Sequence, residues 1–483
     1  MKAAAREERA LGESPQNPGR SVIIIGGGVA GMSAACALTE AGFRVHLVER
    51  RGYLGGRASS YLHPGVNEVI DNCQHVLFGC CTNLMSFYQR IGALDKIHWT
   101  SEMTMIEPGG RRSILGPSWF LPAPLHGLPR LLTAHAFTRA DKLALARAFR
   151  AMLRPIPGDT KETLAEWLQR NRQTGGAIER FWKLVIASAL NAEIDQIAVS
   201  YAAKVIRELF MNSASAGRMG INAVPLTELY SGVRTILEEH GSEVHLNHSV
   251  ESIEWDDETS EWSVATRSGL VTAAFLILAL PFEAVGKLLP ALPPSEEAEE
   301  LGKKVARHEH WPICSAHLWF DREITELDHA VLLDREIHWL FNRSRLQPWR
   351  KTRGSYIEIE VSASRVFAAR SRNEAIALTL RELAEFFPAV HQAKLEKAAL
   401  VKEVRATFGV PPGIEDARPA TQSPWPNCFL AGDWTATGWP STMESAARSG
   451  HIAAEAVCAS TGDAQSFLVP DLKPQGLMRL VGR

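Results

Sequence analysis

Apolar positions fall into three kinds of run along this chain, and each kind predicts a different element. Val22-Ile23-Ile24-Ile25 is β-branched without a polar interruption, the pattern of a central parallel strand covered on both faces. Gly26-Gly27-Gly28 turns the chain, and Ala30 to Ala41, rich in alanine and free of proline, reads as a helix lying close against a sheet. Arg44 to Glu49 (RVHLVE) is a second strand, which completes a βαβ unit within about 30 residues. A different pattern occupies Gly116 to Pro129 (GPSWFLPAPLHGLP), where prolines alternate with greasy side chains and forbid a regular helix.

Helical spacing begins after Thr138, which forms a candidate capping box with Asp141, and continues through Thr163 to Phe210. Strand-like runs return at Glu243 to Trp255, Glu261 to Thr266 and Val271 to Pro281. The last of these is too short for a membrane span of about 20 residues and predicts a buried strand ended by proline. Tyr356 to Val361 predicts a strand, Glu374 to Phe387 a helix, Cys428 to Asp433 a buried strand running into a loop, and Thr442 to Ala459 a small-residue helix.

Composition changes this picture little. With 483 residues, 46% hydrophobic and 22% charged, the chain suits a soluble globular protein of about three domains. A formal net charge of −2 supplies no basic field to draw it to nucleic acid. Seven scattered cysteines fit a reducing compartment better than a disulfide framework. Residues 1–20 are polar and carry no signal-peptide core, so they are expected to form a disordered lead.

The candidate chemistry sits at the two ends of the chain. Gly26-x-Gly28-x-x-Gly31 follows a strand and opens a helix, where glycines let backbone approach a pyrophosphate and the helix N-terminus offers free N–H groups. Glu49 ends the next strand, at the position where a carboxylate accepts ribose hydroxyls. Gly55-Gly56-Arg57 adds a second glycine turn with a cation. Near the C-terminus Ala431-Gly432-Asp433 and the segment from Gly438 to Gly450 can hold a ribityl hydroxyl and face a flavin ring.

These three blocks, in this order, resemble those of the flavin-dependent amine oxidase and phytoene desaturase superfamily. A narrower resemblance runs through Asp71-Asn72-Cys73-Gln74-His75 to Cys80, Thr163 to Asn191, and Ala431 to Gly450, which are similar to the corresponding blocks of the squalene-associated FAD-dependent desaturases. It spans about Val22 to Val457. One departure is Cys73, where the family pattern has glycine; a positive φ there would strain it.

The resemblance implies an α/β fold: a Rossmann-like FAD-binding domain from residues 21–99, 220–289 and 400–462, with a discontinuous mixed α+β substrate domain from 100–219 and 290–399 and a tail at 463–483. It implies non-covalent FAD held by Gly26, Gly28, Gly31, Glu49, Gly56, Arg57, Gly432 and Asp433. The Val250 backbone would lie at the adenine, and Thr442 and Met443 amides at the flavin carbonyl. The implied activity is that of a hydroxysqualene dehydroxylase, in which reduced flavin removes an allylic hydroxyl to give squalene for hopanoids. Such chemistry needs a proton donor and a dry apolar tunnel. The candidate donor is His75, with Asp71 orienting it or touching the flavin; both packing inertly against the cofactor is the other reading, and Glu444 is a weaker rival.

Trp119, Phe120, Trp182, Phe210 and Trp339 are the candidate tunnel aromatics. No metal site is expected, because Cys80-Cys81, His308 and His310 lack ligand spacing. Arg343, Arg345 and Arg350-Lys351 read as solvated loop charges or as contacts to anionic lipid headgroups. The expected partners are a long isoprenoid, an electron donor, neighbouring squalene-pathway enzymes and no nucleic acid. The expected location is the cytoplasm, with peripheral contact to the inner face of its membrane. A carotenoid-type desaturase or isomerase and a non-catalytic prenyl-lipid carrier are the alternatives.

Overall fold

The β-branched run becomes the centre of a parallel sheet. In the computed structural model, which describes residues 18–158, 160–350, 353–363 and 365–481, five strands lie in the order Glu243–Leu246, Arg44–Glu49, Ser21–Ile25, Phe275–Leu278 and Cys428–Leu430, all parallel. Val22, Ile23 and Ile24 are wholly buried, as an unbroken apolar run requires when both faces are covered. Helices Val29–Glu40 and Met443–Ser460 lie against each other on this sheet. Chain ends that are far apart in sequence therefore meet at one nucleotide crevice.

The second layer is a seven-stranded mixed sheet, in the order Leu395–Phe408, His310–Phe320, Ser355–Val361, Trp339–Asn342, His329–Leu332, Met103–Ile106 and Arg112–Leu115. Its two faces differ in chemistry because side chains alternate along each strand. Leu318, Ile357, Ile359 and Val361 pack with helix Arg372–Phe386 into an ordinary apolar core. Ser315, His317, Tyr356, Glu358 and Glu360 are buried on the opposite face, where Trp319 and Tyr356 pack against Ile70 and Cys73.

A helical lobe fills the region between. The Thr138–Asp141 capping box is present at the start of helix Arg139–Ala151, and Thr163 with Glu166 and Ser371 with Glu374 form two more. Ile178–Ala187 and Arg207–Met211 are wound as wider π-helical turns, which occur mostly where a helix borders a functional site.

Several expected boundaries move. The run from Glu243 divides at Asn247, whose positive φ of 62° turns the chain out of the parallel sheet, so Val250–Asp256 starts a separate antiparallel meander. The run from Val271 likewise divides between Gly269–Ala273 and Phe275–Leu278, which serve different sheets. Leu395–Phe408 pairs with His310–Phe320 in the seven-stranded sheet, so the last FAD-domain segment begins after Phe408 rather than at 400. The tail is docked: Val469 exchanges backbone bonds of 2.8 and 2.9 Å with the Asn83 side chain. Residues 1–17 of the expected lead lie outside the described residues; Pro18–Arg20 is a tight turn whose Arg20 pairs with Asp463.

Candidate active site

The glycine blocks build a cradle at the C-terminal ends of the parallel strands. An added Cβ on Gly31 would stand 1.9 Å from the Gly26 carbonyl oxygen, so only glycine lets this helix start so close to the turn. A Cβ on Gly28 would meet nothing within 4 Å, which leaves open space beside the helix N-terminus. A pyrophosphate can enter that space and take the free amides. Glu49 accepts the Gly27 N–H and the Arg51 N–H, both at 2.8 Å, which fixes its carboxylate at the strand end. Val250 lies alongside, since the preceding Asn247 and His248 amides donate to Arg51 and Glu49 carbonyls at 2.9 Å.

The other end of the cradle joins blocks that are 376 residues apart: the Arg57 guanidinium pairs with Asp433, whose second oxygen accepts from Ser441. Gly55 N–H donates to Gly27 at 2.8 Å, which brings Gly56 against Gly28, while Gly432 N–H donates to Ser449 at 2.8 Å. Thr442 caps the last long helix by accepting the Ser445 N–H at 3.1 Å. The Met443 and Glu444 amides of that first turn have no intrahelical acceptor and face outward as anion donors. Glu444 itself is removed as an acid candidate: its buried carboxylate accepts from Leu84 N–H at 2.8 Å and pairs with Arg448 at 2.7 Å, capping the helix at Thr82–Arg90.

Between cradle and seven-stranded sheet runs the loop from Asp71 to Val76. Asp71 does not orient His75. It pairs with the fully buried Arg343 and accepts from Ser60 at 2.6 Å, Asn222 at 2.9 Å and Leu226 N–H at 3.1 Å. Burial raises its carboxyl, but Arg343 and these donors outweigh burial and hold it below the usual carboxylate range. His75 bonds through Nδ1 to the Cys73 carbonyl at 2.9 Å, and burial lowers its basicity. A neutral ring whose Nδ1–H is so committed presents an acceptor at Nε2, which is the wrong polarity for a proton donor at neutral pH. Cys73 adopts φ 64°, the strained left-handed conformation that its departure from glycine foretold.

The most consequential residues here were given no part in the site by the sequence. Arg343, expected as a loop charge, has no solvent exposure and reaches Asp71, Gln74 at 2.6 Å and Glu358 at 3.3 Å. Arg345 is exposed and pairs with Asp328 at 2.7 Å; Arg350 stacks over Trp349, and Lys351 lies outside the described residues. Glu360 accepts the Gln74 N–H at 2.5 Å and lies two residues from Glu358 on the same buried face of its strand. A strand written Tyr-Ile-Glu-Ile-Glu-Val carries period-two alternation, but alternation alone reads as polar side out to water. Only the tertiary fold shows that this polar face is interior.

The expected tunnel aromatics fall in four different places. Trp339 joins Val76, Phe78, Met219, Ile221 and Phe341 in an apolar wall beside His75, and its Nε1–H donates to Ser188 at 3.0 Å. Phe210 is half-buried against Phe181, 5.8 Å between rings. Trp182 is wholly buried in the helical lobe, edge-on to Phe181 and bonded to Gln173 at 3.0 Å, so it is core. Trp119 and Phe120 are 96% and 59% exposed and line no interior tunnel; the prolines around them hold the loop on the surface. Among the described residues one further cluster, His46 with Glu243 and His245, has metal-ligand chemistry, and it lies at the far edge of the parallel sheet.

The comparisons with known proteins agree with this geometry. Residues 29–458 match the model of the flavin containing amine oxidoreductase family. The chain is 26% identical to zeta-carotene desaturase from Synechocystis over 93% of its own length and 99% of the relative's. It is 24% identical to 15-cis-phytoene desaturase from Synechococcus elongatus, covering 92% and 97% of the two chains. An oxidoreductase from Methanosarcina mazei shares the fold at a TM-score of 0.69 and 15% identity, covering 89% and 98%. Cyclohexylamine oxidase from Brevibacterium oxydans does so at 0.63 and 19%, covering 92% and 100%. The open space at Gly28, the fixed Glu49 carboxylate and the free amides at Met443 fit FAD, whose isoalloxazine supplies two-electron redox chemistry. The chain belongs to the flavin-containing amine oxidoreductase family and is an FAD-dependent oxidoreductase.

Proposed function

We propose that this protein is a hydroxysqualene dehydroxylase, which removes an allylic hydroxyl from a C30 isoprenoid at the expense of reduced flavin and gives squalene. The observation that carries the reading is where three sequence blocks meet. Residues 71–80, 163–191 and 431–450 carried the narrow resemblance; the first two contribute to the apolar wall around Trp339, and the third to the cofactor cradle that the first block adjoins. The first supplies Gln74, His75, Val76 and Phe78. The second supplies Ser188, which holds Trp339, and Asn191, which accepts the Ala363 N–H at 2.6 Å. The third supplies Asp433 and the helix start at Met443. An apolar wall facing a flavin cradle suits an oily substrate and keeps water from a reactive cation.

The experiment is mass-spectrometric analysis of purified protein supplied with hydroxysqualene and a reductant under anaerobic conditions. Squalene formed in step with flavin oxidation supports the reading. The second reading, a carotenoid-type desaturase, is favoured by what the curated relatives are called. It predicts the reverse electron flow: oxidised protein bleaches with phytoene or zeta-carotene, and the alcohol is left untouched.

The same reading brings the protein to a lipid surface, since its substrate is insoluble in water. No described helix is long and apolar enough to cross a membrane. The exposed Trp119, Phe120, Leu125, Leu128 and Leu132 form an apolar projection, and Leu477 N–H donates to Ala123 at 2.8 Å, which sets the 83% exposed Leu480 beside it. Residues 111–154 carry eight Lys and Arg against the single acid Asp141, in a chain of net charge −2. Arg111, Arg112 and Arg130 of that segment pair with Glu107, Glu326 and Glu102, and an apolar projection on a segment of net positive charge suits an anionic bilayer. Flotation with phosphatidylglycerol vesicles, lost in Trp119→Asp/Phe120→Asp, is the expected result; equal flotation of the variant contradicts it.

A further inference from the structure

Buried carboxyls placed side by side cannot both be ionised without a cation for each. Glu358 and Glu360 occupy alternate positions of strand Ser355–Val361, both buried, and so share a face where each carboxyl's charge is felt by the other. Two buried carboxyls on one face with one shared cation favour keeping a proton on the pair. A single cation, Arg343, serves Glu358 at 3.3 Å and is divided with Asp71. Among the described residues no ion pair to Glu360 is formed, and its carboxyl accepts the neutral Gln74 N–H.

The placement of this pair is what gives it chemical meaning. Cross-strand register sets Glu360 opposite Trp339 and Ser315, and Glu358 opposite Phe341 and His317. Trp339 and Phe341 are the apolar wall, so the carboxyl pair is set among the side chains that would hold the substrate. Towards the cradle, strand Leu395–Phe408, which lies beyond His310–Phe320, carries Glu403, which accepts from Asn72 at 2.9 Å, and Ala406, which accepts from Arg57 at 2.9 Å. The acid therefore lies between the flavin cradle and the oily wall.

We infer that the Glu358–Glu360 pair is the proton donor of this site, with the Glu360 carboxyl delivering to the departing oxygen of an allylic alcohol. This deepens the hydroxysqualene reading and rests on it. The carbon–oxygen bond breaks with both its electrons going to oxygen, which leaves as water once it has taken the Glu360 proton. The allylic carbon is reduced by the hydride equivalent that the reduced cofactor supplies, and the cofactor is oxidised. Glu360 is left as carboxylate beside Glu358 and is reprotonated between turnovers. The ordinary desaturation of a hydrocarbon needs no such acid.

Burial, and then the neighbouring Glu358, push the Glu360 carboxyl well above its ordinary range; burial, opposed by Arg343, pushes Glu358 up to about 7. The groups facing the pair from the packed elements are Arg343, Asp71, His317, Tyr356, Ser315 and Cys73. Of these Arg343 is the one cation at neutral pH, because burial keeps His317 neutral, down at about 3.

The test pairs a spectroscopic readout with kinetics on the FAD-loaded protein. Infrared difference spectra between neutral and alkaline pH should show a carboxylic-acid C=O band in wild type that is lost in Glu360→Gln. Single-turnover reoxidation of reduced protein by hydroxysqualene should slow about 100-fold or more in Glu360→Gln, the scale of general-acid catalysis. It should recover in part in Glu360→Asp. Visible flavin spectra and melting temperatures confirm that each variant is folded. An absent band in wild type, or an unslowed Glu360→Gln, overturns the inference. Failure of wild type itself to convert the alcohol instead overturns the reading of the reaction, and the donor role with it, while the band still reports whether the pair holds its proton.

Discussion

The nucleotide cradle and the buried face of the seven-stranded sheet meet across a single loop, yet they are built on opposite principles. The cradle works mostly with backbone, glycines and helix amides, joined by the Glu49 carboxylate at a strand end and the Arg57–Asp433 pair. The sheet face works with side chains that cost free energy to bury, namely Asp71, Arg343, Glu358 and Glu360, in a lobe otherwise made of ordinary apolar core. The lesson is that the cradle rests largely on shape and backbone, whereas the sheet face is made of charges that the fold must hold against their own desolvation.

The largest effect that separates the two regions is expected at Gly31. Its Cβ position is 1.9 Å from backbone, so Gly31→Val cannot be relieved by a side-chain shift. The variant should purify without visible flavin absorbance, and full flavin content would contradict the close approach. Next is Arg343→Met, which leaves Asp71 and Glu358 without their cation and should cost about 3–5 kcal/mol in urea unfolding. The exposed Arg345→Met is its control and should cost about 1 kcal/mol or less. Equal costs for the two would mean that the buried network is not what holds the sheet face.

A smaller effect follows from proton linkage. Glu358 and Glu360 keep protons in the folded protein that the unfolded chain releases above about pH 4.3. Their contribution is therefore complete below that pH and is lost as pH rises through about 7, the value to which Glu358 is pushed. Asp71 acts in the opposite sense, and its contribution is lost as pH falls below the usual carboxylate range. Unfolding free energy should drop by about 2 kcal/mol between pH 5 and pH 8, and the drop should shrink in Glu358→Gln. A pH-independent free energy over that interval would contradict a shared proton.

The smallest expected effect is at Cys73. Its φ of 64° costs an L-residue about 1–2 kcal/mol, which glycine avoids while losing about 0.5–1 kcal/mol of chain entropy. Cys73→Gly should stabilise by up to about 1 kcal/mol, and clear destabilisation would show that the buried thiol's packing outweighs the backbone strain.

The same contrast explains what could be read from the sequence. The cradle was legible because its requirements are local: Gly26 to Gly31, Glu49 and Asp433 sit at fixed offsets from apolar runs that mark their strands. Even Cys73 could be flagged, since a residue in a glycine's place is a backbone statement. The sheet face was not legible, because Glu358 and Glu360 look like the solvent side of an alternating strand, and Arg343 looks like one more loop cation. Glu358, Glu360 and Arg343 lie near one another in sequence, but what buries them does not: Asp71 and Gln74, which reach Arg343 and Glu360, are more than 250 residues away. Trp119 and Phe120 failed in the other direction: local greasiness suggested an interior tunnel, while the fold leaves them outside.

The central claim is that reduced flavin in this cradle passes two electrons to an allylic alcohol lying on the Trp339–Phe341 wall. Anaerobic stopped-flow mixing of dithionite-reduced protein with hydroxysqualene tests it most directly. The account predicts that the oxidised flavin spectrum returns with one squalene formed per flavin. A reduced spectrum that persists, with the alcohol recovered unchanged, would contradict it.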